Sequence, residues 1–116
     1  MRNAFAKHVD FGFLRGAIKD NPKAIPVNLD MVYEHKSNFL FAEWKRENEE
    51  ISIGQKILLK NLAKQHHCTV LLIIGYSDEN YTEVNDFYVI RGDYMRRVGN
   101  GIDALKTYIN NWWDNH

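Results

Sequence analysis

The chain has one cysteine, two prolines and no net charge, its fifteen Lys plus Arg being matched by fifteen Asp plus Glu over 116 residues. A lone Cys68 excludes an intramolecular disulfide. With His66 and His67 beside it but no second ligand cluster, it also lacks the spacing of a structural zinc site. That usage fits a reducing compartment. No apolar run approaches the roughly 20 residues of a membrane-spanning helix, and Arg2, Lys7, Asp10 and Arg15 interrupt any signal-peptide core. A soluble, cytoplasmic protein with no membrane partner is expected. The neutral balance removes the strong positive field typical of nucleic-acid binders, so such a partner would have to be held by local groups. What is present, 45% hydrophobic and 26% charged residues, excludes a disordered tail, and the length is that of one domain over residues 1–116.

Phe5, Val9, Phe13 and Ala17 recur every four residues and predict an N-terminal helix reaching about Asp20, where Asn21-Pro22 stops it. Gly12 and Gly16 weaken it, and a kink near Asp10 is expected. From Val27 the period becomes two, with Leu29, Met31 and Tyr33 on one side. A polar break at Lys36-Ser37-Asn38 and a second run, Phe39 to Lys45, make this a β-hairpin. Ser52 and Gln55 stand at capping-box spacing before a helix from about Ile53 to His66. Thr69 to Ile74 reads as a strand covered on both faces, joined to the Phe39 strand by a right-handed crossover. A polar turn at Asp78-Glu79-Asn80 precedes a fourth strand, Phe87 to Ile90. Ile102, Leu105, Ile109 and Trp112 then close the chain as an amphipathic helix. Adjacent Trp112 and Trp113 point about 100° apart, so one ring is core and the other suits a protein interface. The expected architecture is α/β in the order α-β-β-α-β-β-α, a small mixed sheet flanked by helices.

The chemistry is concentrated in Glu43-Trp44-Lys45, where period two sets an acid and an amine on one strand face and Ala42 and Trp44 on the other. An acid-x-Lys triplet is common, and Glu34-His35-Lys36 is a second instance. Its weight comes from Asp30 on the preceding strand, since directly opposed residues of an antiparallel pair share a face. A turn at Lys36-Ser37 sets Asp30 opposite Glu43, and one at Ser37-Asn38 sets it opposite Lys45. A three-residue loop sets it opposite Trp44 and breaks the cluster. Two carboxylates and a lysine on a core-bearing face are costly without partners or a metal. Hard oxygen donors of this kind suit Mg²⁺ or Mn²⁺.

The run Pro26-Val27-Asn28-Leu29-Asp30, then Glu43-Trp44-Lys45, then Gln55 on the next helix, resembles the PD-(D/E)XK nuclease superfamily, especially its small Holliday-junction-resolvase-like and VRR-NUC branches. The resemblance covers Pro26 to about Ile74 and implies a restriction-endonuclease-like core. By resemblance, Asp30, Glu43 and the Trp44 carbonyl would bind Mg²⁺, with Mn²⁺ able to substitute. Lys45 would position or deprotonate the attacking water, and Gln55 would support the site. The activity implied is metal-dependent endonucleolytic hydrolysis of DNA, preferably branched, leaving a 5′-phosphate, by a protein acting as a homodimer. Pro26 is not adjacent to Asp30, so Asp30 alone carries the first part of the motif.

Each residue also has a plainer reading. Gln55 can serve only the helix cap, the acid-amine cluster can be a solvated ion pair, and His66-His67 can simply end a helix. Arg15, Lys19, Lys56 and Lys60 are candidate phosphate contacts, with Lys64 continuing the stripe of Lys56 and Lys60. Lys23, Arg91, Arg96 and Arg97 extend this set, while Asp78, Glu79, Glu83 and Asp86 should point away from DNA. The rival to an enzyme is a non-catalytic DNA-binding or protein-interaction module with the same fold.

Overall fold

The computed structural model describes residues 10–116. Within them a five-stranded mixed sheet carries one helix on each face: β1 (Met31–His35), β2 (Asn38–Lys45), α1 (Ile53–Ala63), β3 (Cys68–Ser77), β4 (Thr82–Arg91), β5 (Tyr94–Asn100) and α2 (Ile102–Asp114). The sheet order follows the chain, β1-β2-β3-β4-β5. Only the β2–β3 pair is parallel, because only there does a helix intervene between neighbouring strands.

Alternation sorts the core into two layers. Leu40, Ala42, Leu71, Ile73, Phe87 and Val89 pack with Trp112 under α2, while Val70, Leu72 and Ile90 pack with Leu59 under α1. Four consecutive β3 residues, Val70 to Ile73, are buried. This is the continuous apolar run of a strand covered on both sides. Ser52 and Gln55 close the expected capping box, with the Ser52 Oγ accepting the Gln55 N–H at 3.1 Å. The helix ends at Ala63, three residues before the expected stop at His66. His67 turns left-handed (φ 67°) and Cys68 enters β3, so the His-His-Cys run is a helix exit.

Two expectations change. The N-terminal helix falls partly on residues 1–9, outside the described residues. From Asp10 onward there is only a 3-10 turn, Phe11–Leu14, with no buried residue. Gly16 at φ 88° breaks the helical path after it. The sheet has a fifth strand, Tyr94–Asn100, where four strands were expected. The order from Met31 is therefore β-β-α-β-β-β-α.

Trp44 reaches across the α2 side to Gly75, where the β3–β4 register shifts. A Cβ at Gly75 would collide with the Glu83 backbone oxygen and lie 2.7 Å from Trp44 Cη2. Backbone and a packed ring cannot both yield, so Gly75→Ala is expected to destabilise by about 1–3 kcal/mol or more. The urea midpoint is the check, and an unchanged midpoint would refute the contact.

Candidate active site

The hairpin turn decides the placement of the cluster. Lys36 and Ser37 form a two-residue turn with φ 52° and 67°, the left-handed pair of a type I′ turn. Because neither residue is Gly or Asn, the turn needs bracing. The Ser37 N–H donates to Glu34 Oε2 at 2.9 Å, and Asn38 Nδ2 lies 3.3 Å from the carbonyls of His35 and Lys36. His35 pairs with Asn38 and Met31 with Ala42, so Asp30, one residue before β1, falls opposite Glu43.

The Asp30 carboxylate accepts the Trp44 N–H at 2.8 Å. A strand residue sends its N–H and C=O to the same edge, so the Trp44 carbonyl also leaves toward Asp30, beyond the last β1 pair. Glu43 pairs with Leu72, which belongs to the α1-side core, and Lys45 pairs with Ile74, packed against the same core. The cluster therefore lies on the α1 face, at the carboxyl ends of the parallel pair, where α/β sheets usually bind ligands. The loop before α1 is tied over it. Lys45 Nζ is 3.8 Å from Glu49 Oε2, the Arg46 N–H donates to Glu49 Oε1 at 2.9 Å, and Asn85 Nδ2 donates to Glu47 Oε1 at 3.1 Å.

Glu43 and Lys45 are the only buried charged residues among those described, 4% and 7% exposed. Burial, and then the hydrogen bond and negative charge of Asp30, push the Glu43 carboxyl up to about 8. At neutral pH in the absence of a cation Glu43 thus keeps its proton. Glu43 Oε2 is buried with no hydrogen-bond partner. A carboxylate oxygen of this kind is satisfied by a cation or a proton and otherwise costs about 1–3 kcal/mol. Two carboxylates and a backbone carbonyl suit a small hard cation that keeps several waters. Among the described residues no group of three or more His, Cys, Asp or Glu side chains could hold an ion, so the side-chain donor set is limited to the Asp30–Glu43 pair.

Other candidates separate. Gln55 Oε1 is 3.4 Å from the Ser52 N–H, so its cap role is realised at the helix start. Lys56, Lys60 and Lys64 turn toward the β4–β5 hairpin. Lys60 Nζ is 3.2 Å and Lys64 Nζ 3.9 Å from Asp93 Oδ1, and the Lys60 hydrogen bond holds the Asp93 carboxyl below its ordinary value. Arg97 pairs with Asp86 at 2.8 Å. Acids and bases therefore interleave on this side, against the expectation of basic faces free of acids. Arg15 and Lys19 are exposed in the turns before Asn21. Trp112 is buried, while Trp113 stacks on His35 at 3.6 Å between centroids with 44% of its surface exposed. Sequence reasoning missed Glu49, whose signal was its spacing of four residues from Lys45.

No protein-family model, curated protein or solved structure matches the chain.

The pH dependence has a definite sign. A carboxyl whose folded value is raised stabilises the fold fully below its unfolded value of 4.5 and loses that contribution as pH rises through about 8. In chelator, the melting temperature is expected to fall between about pH 5 and pH 8. The limiting slope is about 1.4 kcal/mol per pH unit, the value for one proton. Glu43→Gln should flatten this fall; equal slopes in the two proteins would show that Glu43 is not the proton's site.

Proposed function

We propose that the protein is a divalent-metal-dependent endodeoxyribonuclease of the PD-(D/E)XK type, acting on branched or structured DNA. The carrying observation is the buried Glu43 and Lys45 on one strand face with Asp30 directly across the hairpin. The hairpin, crossover helix and parallel strand around it support a restriction-endonuclease-like core as part of the same proposal. Asp30, Glu43 and the Trp44 carbonyl would hold Mg²⁺ or Mn²⁺, which supplies neutralisation of phosphate charge and a more acidic water.

The chain's own groups have distinct tasks. Asp30 is oriented by the Trp44 N–H, and Glu43 is desolvated, which strengthens its hold on a cation. Lys45, steadied by Glu49, directs a positive charge at the site. There the ammonium orients the attacking water, or, once it has given up a proton, the neutral amine takes the water's proton as the oxygen joins phosphorus. The P–O3′ bond breaks, leaving a 5′-phosphate and a 3′-hydroxyl. Gln55 supports the site by capping the helix above it. Arg15, Lys19, Lys56 and Lys60 are the proposed phosphate contacts, and a homodimer belongs to the same reading. No helix among the described residues is long and apolar enough to cross a membrane, and a cytoplasmic site of action is proposed.

Incubation with labelled duplex, flap and four-way-junction DNA, with and without Mg²⁺, tests this reading. Lys45→Ala is expected to lower cleavage at least a hundredfold, the lower range for general-base catalysis, with an unchanged circular-dichroism spectrum. Asp30→Asn should weaken Mn²⁺ binding in calorimetry. Full activity in Lys45→Ala would refute the mechanism, and no cleavage of any substrate by the wild type would favour the non-catalytic binding module.

A further inference from the structure

A second feature lies on the α1 face, across the helix from the acids. A cavity of about 180 Å³ opens between α1 and the β4–β5 hairpin, walled by Ile51, Leu59, Ile90 and Met95, with Lys56 at its edge. Its lining is almost entirely carbon. Met95 pairs with Ile90 and so shares its face; it remains 51% exposed, so the outer wall is left to solvent. An apolar cavity of about 150 Å³ accommodates benzene, which sets the size here at one six-membered ring.

The mouth carries charge. Lys56 makes no ion pair among the described residues, and Lys60 and Lys64 flank Asp93 at the same mouth. The site thus combines an apolar slot for one flat ring, the unpaired Lys56 amine for an anion beside that ring, and at its mouth the Asp93 carboxylate held between Lys60 and Lys64. We infer that this cavity receives a single unpaired pyrimidine base of a DNA strand, with Lys56 on a flanking phosphate.

The inference rests on the nuclease reading above and specifies its substrate as DNA with unpaired nucleotides near the cut. Two to three strand spacings of about 4.8 Å separate Glu43 on β2 from Ile90 on β4 and Met95 on β5. Ile90 pairs with Val70 and Val70 with Phe41, two residues back from Glu43, and the path crosses α1, so the bound base lies several nucleotides from the phosphate held at Asp30 and Glu43. Duplex leads into the acids, and the strand that leaves it crosses α1 to the cavity.

Fluorescence anisotropy in chelator, where cleavage does not proceed, tests the cavity with three labelled 12-mers: oligo(dT), oligo(dA) and an abasic strand. Oligo(dT) should bind about five- to 150-fold tighter than the abasic strand, equivalent to about 1–3 kcal/mol for one stacked base. It should also bind tighter than oligo(dA). Met95→Ala, at an exposed position, should abolish the preference and leave abasic binding unchanged, while Met95→Leu should keep it. Lys56→Ala should weaken all three strands alike. Equal binding of oligo(dT) and the abasic strand, or a preference that survives Met95→Ala, would overturn the proposal, and tighter oligo(dA) binding would overturn the single-ring assignment. Base preference without cleavage in Mg²⁺ sinks the nuclease reading and spares the cavity. Cleavage without base preference does the reverse.

Discussion

The two-residue turn at Lys36-Ser37 is the constraint on which both the core and the candidate site depend. Side chains alternate along a strand, so a slip of one residue would move the whole of β2 to opposite faces. Leu40 and Ala42, at 0% and 1% exposure, would leave the layer under α2, and Glu43 and Lys45 would enter it. The turn sequence is poorly suited to its conformation, since left-handed backbone at non-glycine residues costs roughly 1–2 kcal/mol each. Bonds from Ser37 to Glu34 and from Asn38 to two carbonyls offset part of that cost. The apolar packing of β2 against β3 does the rest, because only one register buries Leu40 and Ala42 together.

That same register forces an acid and an amine into the apolar layer under α1. Glu43 sits beside Leu72 and Lys45 beside Ile74, in a layer otherwise built from Leu59, Val70 and Ile90. Apolar residues of similar volume at these two positions would generally be neutral or stabilising. Stability alone is therefore a weak reason for the pair, and under the functional reading proposed a site that needs a desolvated carboxylate accounts for it. The unpartnered Glu43 oxygen points the same way, since a closed structural ion pair would leave no buried acceptor empty.

Much of this was legible in the sequence where local rules and packing agree. The hairpin, the Ser52–Gln55 cap and the doubly buried β3 each had a periodicity or spacing with one physical meaning. The register was legible only as alternatives, because Lys36-Ser37-Asn38 lacks the Asn-Gly signal that marks a type I′ turn. β5 was illegible for a different reason. It is an edge strand whose first four residues are exposed, and the bulge opposite Phe87 and Tyr88 interrupts its pairing, so no alternation of apolar residues survives. The stripe of Lys56, Lys60 and Lys64 was visible as helical spacing, but its partner Asp93 is 33 residues from Lys60 and is brought in only by the β4–β5 turn.

The neutral charge can now be divided among particular groups. Lys60, Lys64 and Arg97 are engaged by Asp93 and Asp86, which removes much of the charge that would hold a polyanion along the α1 face. Lys56 has no such partner there. Arg96 pairs with Val89 and, with Arg91, lies near Tyr108 of α2, on the opposite face of the sheet. A strand crossing the α1 face therefore meets few unpaired cations, and counterion release, which scales with the number of phosphates neutralised, would provide only weak attachment. Under the functional reading proposed, weak electrostatic attachment has to be supplemented by contacts that do not depend on net charge. The two such features on that face are the exposed Asp30 beside the desolvated Glu43, able to hold phosphate through a shared cation, and an apolar slot sized for one ring. Their separation by the width of α1 then makes the geometry of the nucleic acid, more than its charge, the property that would select a substrate.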